Sequence, residues 1–184
     1  SNAYEPLASA MASSHDRPAA TLGCWLAEAL RKRAPGDLLV LPDGCSIAGS
    51  YYTHLCLERD YGTKSQARLV RMLPGGRLFV WKTGDIRAEA AAMAALNRMN
   101  AAWREGGLEV CGLLVEVVTY SIVPLGTYGG LVEVVCGSQT LRELGAPHSH
   151  SEKHLRVLAT LDSDVSRLDR LAATTVGYLT AATF

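Results

Sequence analysis

The sequence has no excess of charge of either sign and no long hydrophobic run. Its 18 Lys and Arg residues equal its 18 Asp and Glu residues, so net charge gives no long-range attraction to nucleic acid or to an anionic membrane. No apolar stretch approaches the ~20 residues that a membrane-spanning helix requires. We therefore expect a cytoplasmic protein without a nucleic-acid partner, and peripheral membrane association of the intact protein is compatible with this composition.

The cysteines form neither a C-x-x-C pair nor a cluster with histidine at metal-ligand spacing. There are five of them, an odd and dispersed set: Cys24, Cys45, Cys56, Cys111 and Cys136. Such a set favours reduced thiols in the core over disulfides or a zinc site.

The histidines of one segment have a spacing that a metal site can use. His148, His150 and His154 stand in a serine-rich stretch without accompanying cysteines or a carboxylate cluster, so we interpret it as a solvated loop. A Ser-His-Asp hydrolase has no supporting motif such as G-x-S-x-G. We predict no metal ligands in the chain.

The length of 184 residues fits one globular domain. Residues 1–3 match the remnant of an expression tag, and residues 4–20 resemble a loose arm because they are rich in Ala, Ser and Pro. A helix is predicted from Thr21, a good N-cap, to about Arg33.

Short β-prone runs separated by turn residues follow the first helix. They span 38–41, 45–48, 52–58, 67–73 and 77–82. Residues 74–76, Pro-Gly-Gly, predict a hairpin between the last two runs, since Pro presets φ and Gly tolerates positive φ. This spacing is typical of an antiparallel meander.

A helical pattern begins near Ile86 and continues to about Arg104. Apolar residues recur there on one predicted helical stripe, formed by Ala92, Leu96, Met99 and Trp103. Further strands are predicted within 108–122 and at 131–135, followed by a short helix at 138–144, a loop at 146–153 and a terminal helix at 164–184. The fold class is α+β.

The order of these elements is the layout of a kinase N-terminal lobe, in which a strand lysine contacts nucleotide phosphates and an acidic helix residue holds it. The strand ends at Lys82, and Glu89 lies early in the following helix. Lys82 taken alone is better explained as an edge lysine whose stem lies on apolar surface.

The stretch 79–110 resembles the signature block of phosphatidylinositol 3- and 4-kinases. The family pattern F-K-x-G-D-D-L-R-Q-D is similar to W-K-T-G-D-I-R-A-E at 81–89. The family's G-L-I-E-V-V is similar to G-L-V-E-V-V at 130–135, and residues 176–184 resemble the helix that leads into its catalytic loop. The resemblance covers about residues 45–184.

The resemblance implies a set of ATP-binding residues. Lys82 would contact the α-phosphate side, with Glu89 and Tyr120 facing the inner pocket. Val132 would be the gatekeeper, while the Glu133 carbonyl and the Val135 amide would pair with the adenine edge. Gly49 and Ser50 would lie in the phosphate-covering loop.

Some departures from the family bear on activity. Tyr51 and Tyr52 stand where the family's phosphate loop has lysines, one Asp of the D-D pair is missing, and a few residues are inserted between Val110 and Tyr120. Neither D-R-H-x-x-N nor D-F-G, which would supply the orienting Asp and the Mg²⁺ ligands, occurs in the sequence. We therefore expect no catalytic residue and no phosphoryl transfer within residues 1–184.

Two functions stay open at this point. The first is the ATP-binding part of a lipid kinase whose intact form uses ATP and Mg²⁺ to phosphorylate an inositol hydroxyl of phosphatidylinositol. The second is a degenerate kinase-like scaffold or interaction module. We expect a tag and flexible arm over 1–20, and the resemblance implies an N-terminal lobe over 21–145 and the start of the second lobe over 146–184. The terminal helix has an apolar face that we expect to be exposed and to self-associate, formed by Leu168, Leu171, Val176, Leu179 and Phe184.

Overall fold

The computed structural model describes residues 18–64, 66–138 and 165–183. The helices within them are α1 (Pro18–Arg31), α2 (Arg87–Glu105) and α3 (Val165–Ala181). The strands are β1 (Leu38–Val40), β2 (Ser46–Ile47), β3 (Ser50–Tyr51), β4 (His54–Asp60), β5 (Arg68–Leu73), β6 (Arg77–Thr83), β7 (Glu109–Val110), β8 (Leu113–Leu114), β9 (Ile122–Pro124) and β10 (Gly129–Glu133). The predicted α+β class is confirmed.

The main sheet has six strands in the order β1-β4-β5-β6-β10-β9, with every neighbouring pair antiparallel. About five strands were expected. The hairpin predicted around residues 74–76 is confirmed, since β5 pairs with β6 from Arg68↔Trp81 to Met72↔Arg77. Two further two-stranded ribbons are formed by β2 with β3 and by β7 with β8.

The chain groups into two compact units. The sheet unit comprises Ser1–Met93 and Tyr120–Val134, and the hairpin-helix unit comprises Ala94–Thr119 and Val135–Phe184. The boundaries expected after residues 20 and 145 stay predictions. Residues 94–119 group with α3 because α3 packs on β7 and β8.

The core of the sheet unit lies between α1 and one face of the sheet. Side chains that are almost completely buried come from both layers: Leu26 and Leu30 from α1, and Leu55, Leu57, Val70, Met72, Phe79, Trp81 and Leu131 from the strands. Each large apolar side chain removed from water contributes about 1.5–3 kcal/mol. Because α1 packs on one face of the sheet, the opposite face is free of α1.

The hairpin-helix unit is built around two valines of the extended segment after β8. Val115 and Val117 are buried, and so are the small residues Ala173 and Gly177 of α3. A Cβ added to Gly177 would meet Val117 at 3.0 Å and Val115 at 3.2 Å. The absence of a side chain at Gly177 therefore permits the close approach of α3.

The expectation that the cysteines are core thiols is wrong for most of them. All five are free, but only Cys45 is buried, while Cys24, Cys111 and Cys136 are exposed. Cys111 is exposed because it occupies the two-residue turn between β7 and β8, with a φ of 54°. Burial raises the pKa of the Cys45 thiol.

Two expectations about helix faces need correction. Ala92 was placed on the packed stripe of α2, yet it is exposed, and the buried position on this helix is Asn100. Apolar periodicity gives no signal for a buried amide such as that of Asn100. On α3, Leu171 and Leu179 are exposed as expected, while Val176 is half-buried.

Some predicted features lie outside the described residues. They are the arm up to residue 17, the short helix over 139–144, the loop over 146–153 with His148 and His150, His154, and Phe184.

Candidate functional site

Alternation along β6 separates its side chains onto two faces. Phe79 and Trp81 are buried in the core below α1, so Val80 and Lys82 point to the opposite face. In register, Lys82 lies opposite Gly130 and Val80 lies opposite Val132 on β10. The site predicted from sequence therefore has Lys82 and Val132 on the same face of the sheet.

A row of half-buried apolar side chains crosses four strands on that face. Its members lie directly opposite one another in register: Leu69, Val80, Val132 and Ile122. We call this set the apolar row. It lies two residues along β6 from Lys82, so the cation stands at one border of an apolar surface.

The start of α2 is anchored beside Lys82 by an aliphatic contact. Ile86 is buried, and a Cβ added to Gly130 would meet the Ile86 Cδ1 at 2.4 Å and the Val123 carbonyl oxygen at 2.5 Å. Only glycine allows Ile86 to lie this close to β10. This contact sets where the first turn of α2 begins.

The turn into α2 is further fixed by Asp85. Its carboxylate accepts a hydrogen bond from the Arg87 backbone N–H at 3.1 Å. It also accepts hydrogen bonds from Nε and Nη2 of the Arg87 side chain. Hydrogen bonds from the Arg87 side chain, joined by the one from its backbone, lower the pKa of Asp85 to about 2. The carboxylate is thus charged at neutral pH and complements the positive end of the helix dipole.

The anchored helix brings its first acidic residue to the strand lysine. Lys82 Nζ lies 3.7 Å from Glu89 Oε1, with 38% of the lysine and 50% of the glutamate side chain exposed. The two charges are well separated for an ion pair and both are partly exposed to solvent, so the pair contributes little to stability. Its consequence is positional, because the amine is held near the sheet face while it stays accessible to an anion.

The Glu133 side chain also makes hydrogen bonds within the sheet unit. Its Oε1 accepts from Arg77 at 2.5 Å and its Oε2 accepts from the Ser121 N–H at 3.0 Å. Partial burial acts to raise the pKa of Glu133, but the hydrogen bonds from Arg77 and Ser121 outweigh it and leave the pKa below its usual value. The side chain therefore ties β6, β9 and β10 together at one end of the sheet.

Of the two residues whose backbone is expected to pair with adenine, Glu133 ends β10 and Val135 lies two residues beyond it. The Glu133 N–H donates to the Ser121 carbonyl at 2.8 Å, and the Val134 N–H donates to the Leu78 carbonyl at 3.0 Å. Val135 belongs to the hairpin-helix unit, where its carbonyl accepts from the Ser138 N–H and hydroxyl.

Gly49 and Ser50 lie in the tight turn between β2 and β3. Ala48 and Gly49 both have positive φ, at 49° and 76°, the signature of a two-residue hairpin turn. Ser50 pairs with Ile47 across this turn. In the described structure no hydrogen bond or ion pair joins Gly49, Ser50 or Tyr120 to Lys82 or Glu89.

Sequence reasoning missed several residues that build the site. Val80, Leu69 and Ile122 were assigned only to strands, although counting two residues back from Lys82 identifies Val80 as a neighbour on its face. The Arg77 partner of Glu133 and the Ile86 contact with Gly130 depend on pairing between distant segments, for which the sequence carries no local signal.

Comparison with protein-family models and with curated proteins gave no match. In the part of the chain that the structure describes, no group of three His, Cys, Asp or Glu side chains is placed to hold a metal ion. Among the same residues, no helix is both long and apolar enough to cross a bilayer.

Proposed function

We propose that this chain is the ATP-binding part of a lipid kinase similar to the phosphatidylinositol 3- and 4-kinases. The observation that carries the proposal is the position of Lys82, which is on one sheet face with the apolar row and within 3.7 Å of Glu89. The sequence resemblance to the family's signature block supports the same assignment.

The chemistry of the face suits a nucleotide. A purine ring is flat and largely apolar on its faces, so it gains from lying against half-buried aliphatic side chains such as Val80 and Val132. The phosphates would then extend toward the ammonium group of Lys82, which is a compact point charge able to donate three hydrogen bonds. Glu89 keeps that group oriented without neutralising it, since both side chains remain partly in water.

Three further assignments are part of this proposal and rest on the resemblance. The Glu133 carbonyl and Val135 amide would pair with the adenine edge, and Tyr120 would lie in the inner pocket. Gly49 and Ser50 would face the phosphates.

The intact enzyme would transfer a phosphoryl group from ATP to an inositol hydroxyl of phosphatidylinositol. Mg²⁺ would bind together with the nucleotide and neutralise charge on its phosphates. We assign no residue of this chain as a Mg²⁺ ligand. Because the sequence contains neither D-R-H-x-x-N nor D-F-G, we propose that residues 1–184 bind nucleotide without transferring phosphate.

A kinase-like scaffold is the second candidate, and the aromatic residues of the predicted phosphate loop favour it. Tyr51 is 75% exposed and Tyr52 is buried in the core, so neither supplies the positive charge that the family's lysines would bring to phosphate. Such a module would keep the fold and use its surface for protein contacts.

A binding titration separates the two candidates. We would follow thermal unfolding with increasing ATP and Mg²⁺ for the wild type, Lys82→Met and Lys64→Met, an exposed lysine in the loop between β4 and β5 that serves as the matched control. At about 100 times Kd, a ligand adds about 2.7 kcal/mol to stability.

The nucleotide-binding proposal predicts stabilisation of the wild type and of Lys64→Met, and a much smaller effect in Lys82→Met. Equal stabilisation of all three proteins would place the nucleotide elsewhere. No stabilisation of the wild type at millimolar ATP would favour the scaffold.

A further inference from the structure

The segment after β8 in the hairpin-helix unit is extended but has a strand partner on one side only. Val115 donates its N–H to the Leu108 carbonyl at 2.9 Å. Two residues later, Val117 has both of its main-chain groups bound by Asn100. These bonds all lie on one edge of the segment, since main-chain groups alternate in direction along an extended chain.

The other edge presents the main-chain groups of Leu114, Glu116 and Val118. No described residue accepts from the N–H groups of Glu116 and Val118, and the Val118 carbonyl accepts only the Tyr178 hydroxyl, at 3.3 Å. We call residues 113–119 with this orientation the open edge. Unpaired main-chain groups in a row are a template for an added strand.

A groove runs along the open edge. It has a volume of about 570 Å³ and is bounded by Leu113, Leu114 and residues 116–119 on one side and by Arg170 and Thr174 of α3 on the other. Tyr178, one turn beyond Thr174 on the same helix, bonds to Val118 and so limits the groove at that end. The seven residues of the open edge span about 23 Å, enough to pair with a strand of similar length.

We propose that this groove binds an extended peptide segment of a partner protein by strand addition, with an acidic side chain of that segment beside Arg170. Main-chain hydrogen bonds to Glu116 and Val118 would hold the peptide, and this mode of recognition is general for exposed strand edges. Glu116, the acidic residue of the groove lining, lies 3.3 Å from Arg104. Arg170 is exposed and is in no ion pair among the described residues, so it gives a carboxylate a reason to bind there. The Arg170 guanidinium would not attract a basic side chain of a peptide.

The test is an NMR titration of the full chain, labelled with ¹⁵N, with the peptide acetyl-Thr-Val-Glu-Val-Thr-Val-amide. The control peptide has the same sequence with N-methylated internal amides. The protein variants are Arg170→Glu, Val118→Pro, which removes one N–H donor, and Arg98→Glu, an exposed arginine of the same unit outside the groove. Amide spectra of each variant establish that it is folded.

Strand addition predicts shifts centred on Leu114, Glu116 and Val118. Arg170→Glu should weaken binding about fivefold, as expected for loss of an exposed ion pair. Val118→Pro should weaken it up to about tenfold through one lost hydrogen bond. Arg98→Glu should bind within about twofold of the wild type.

Three results would overturn the proposal. They are an unchanged spectrum at millimolar peptide, equal binding of the N-methylated peptide, and equal weakening by Arg98→Glu and Arg170→Glu. Concentration-dependent shifts of the open edge without any peptide would show instead that a second copy of the chain pairs with it.

Discussion

Asn100 on α2 binds both main-chain polar groups of Val117. Its Nδ2 donates to the Val117 carbonyl at 2.9 Å, and its Oδ1 accepts from the Val117 N–H at 3.0 Å. The residue is 5% exposed, so the amide replaces the strand partner that this buried position of the chain would otherwise need. The main-chain polar groups of Val117 therefore depend on one side chain for their partners.

Replacing Asn100 with Ala should destabilise the protein by about 2–4 kcal/mol, because two buried main-chain groups lose their partners. Asn97→Ala is the matched control, since Asn97 is exposed on the same helix. Denaturant unfolding of both variants measures the difference. A loss below about 1 kcal/mol for Asn100→Ala would mean that water replaces the amide.

The Arg77–Glu133 pair should make stability depend on pH. The pKa of Glu133 is below its usual value of 4.5 in the folded protein, so its contribution is complete above that value and is lost as pH falls through the lower, folded pKa. Glu133→Gln removes this contribution. The stability advantage of the wild type over Glu133→Gln should therefore shrink between neutral pH and pH values well below 4.5.

Arg77→Met provides the partner control for that experiment, since it removes the hydrogen bond that holds the carboxylate charged. The stability advantage of the wild type over Arg77→Met should shrink over the same pH range. If both variants keep a constant difference from the wild type, the pair does not set the acid stability of this region.

Gly130→Ala should destabilise the sheet unit by about 1–3 kcal/mol, the usual effect of overpacking. The added methyl group would meet Ile86 and the Val123 carbonyl at about 2.5 Å or less, and the start of α2 would have to move. Gly106→Ala is the control, because its Cβ meets nothing closer than 3.3 Å. Chemical denaturation of both variants measures the effect, and an unchanged Gly130→Ala would contradict the close packing of Ile86.

Glu89→Gln should change stability by less than about 1 kcal/mol, since its ion pair with Lys82 is exposed. Under the proposed function it should still weaken nucleotide binding several-fold, because Lys82 loses the group that orients it. Glu105→Gln, an exposed glutamate at the end of the same helix, should leave binding unchanged. Equal nucleotide affinity in the two variants would remove Glu89 from the proposed site.

Self-association through α3 remains a prediction, with Leu171 and Leu179 as its candidate contacts. Leu179 is 64% exposed, and the helix carries no charged residue after Arg170. Light scattering over a range of concentrations should show association that Leu179→Lys reduces. Leu38→Lys, at an exposed position of β1, should not reduce it, and a monomer at every concentration would end this prediction.

Local patterns were sufficient for much of the architecture. The hairpin at residues 74–76, the strand that ends near Lys82 and the helix that contains Glu89 all follow from turn residues and periodicity within a few positions of the chain. The distance between Lys82 and Glu89 also depends on local geometry, because one tight turn connects their elements.

The sequence by itself determined the fold class, the main hairpin and the presence of a lysine and a glutamate on adjacent elements, since these depend on residues close together in the chain. Only the tertiary structure decided which side chains share the face of Lys82, that Arg77 binds Glu133, and that Asn100 hydrogen-bonds both main-chain groups of Val117. Those contacts join segments up to 56 positions apart, and their register follows from how the whole sheet and its helices pack.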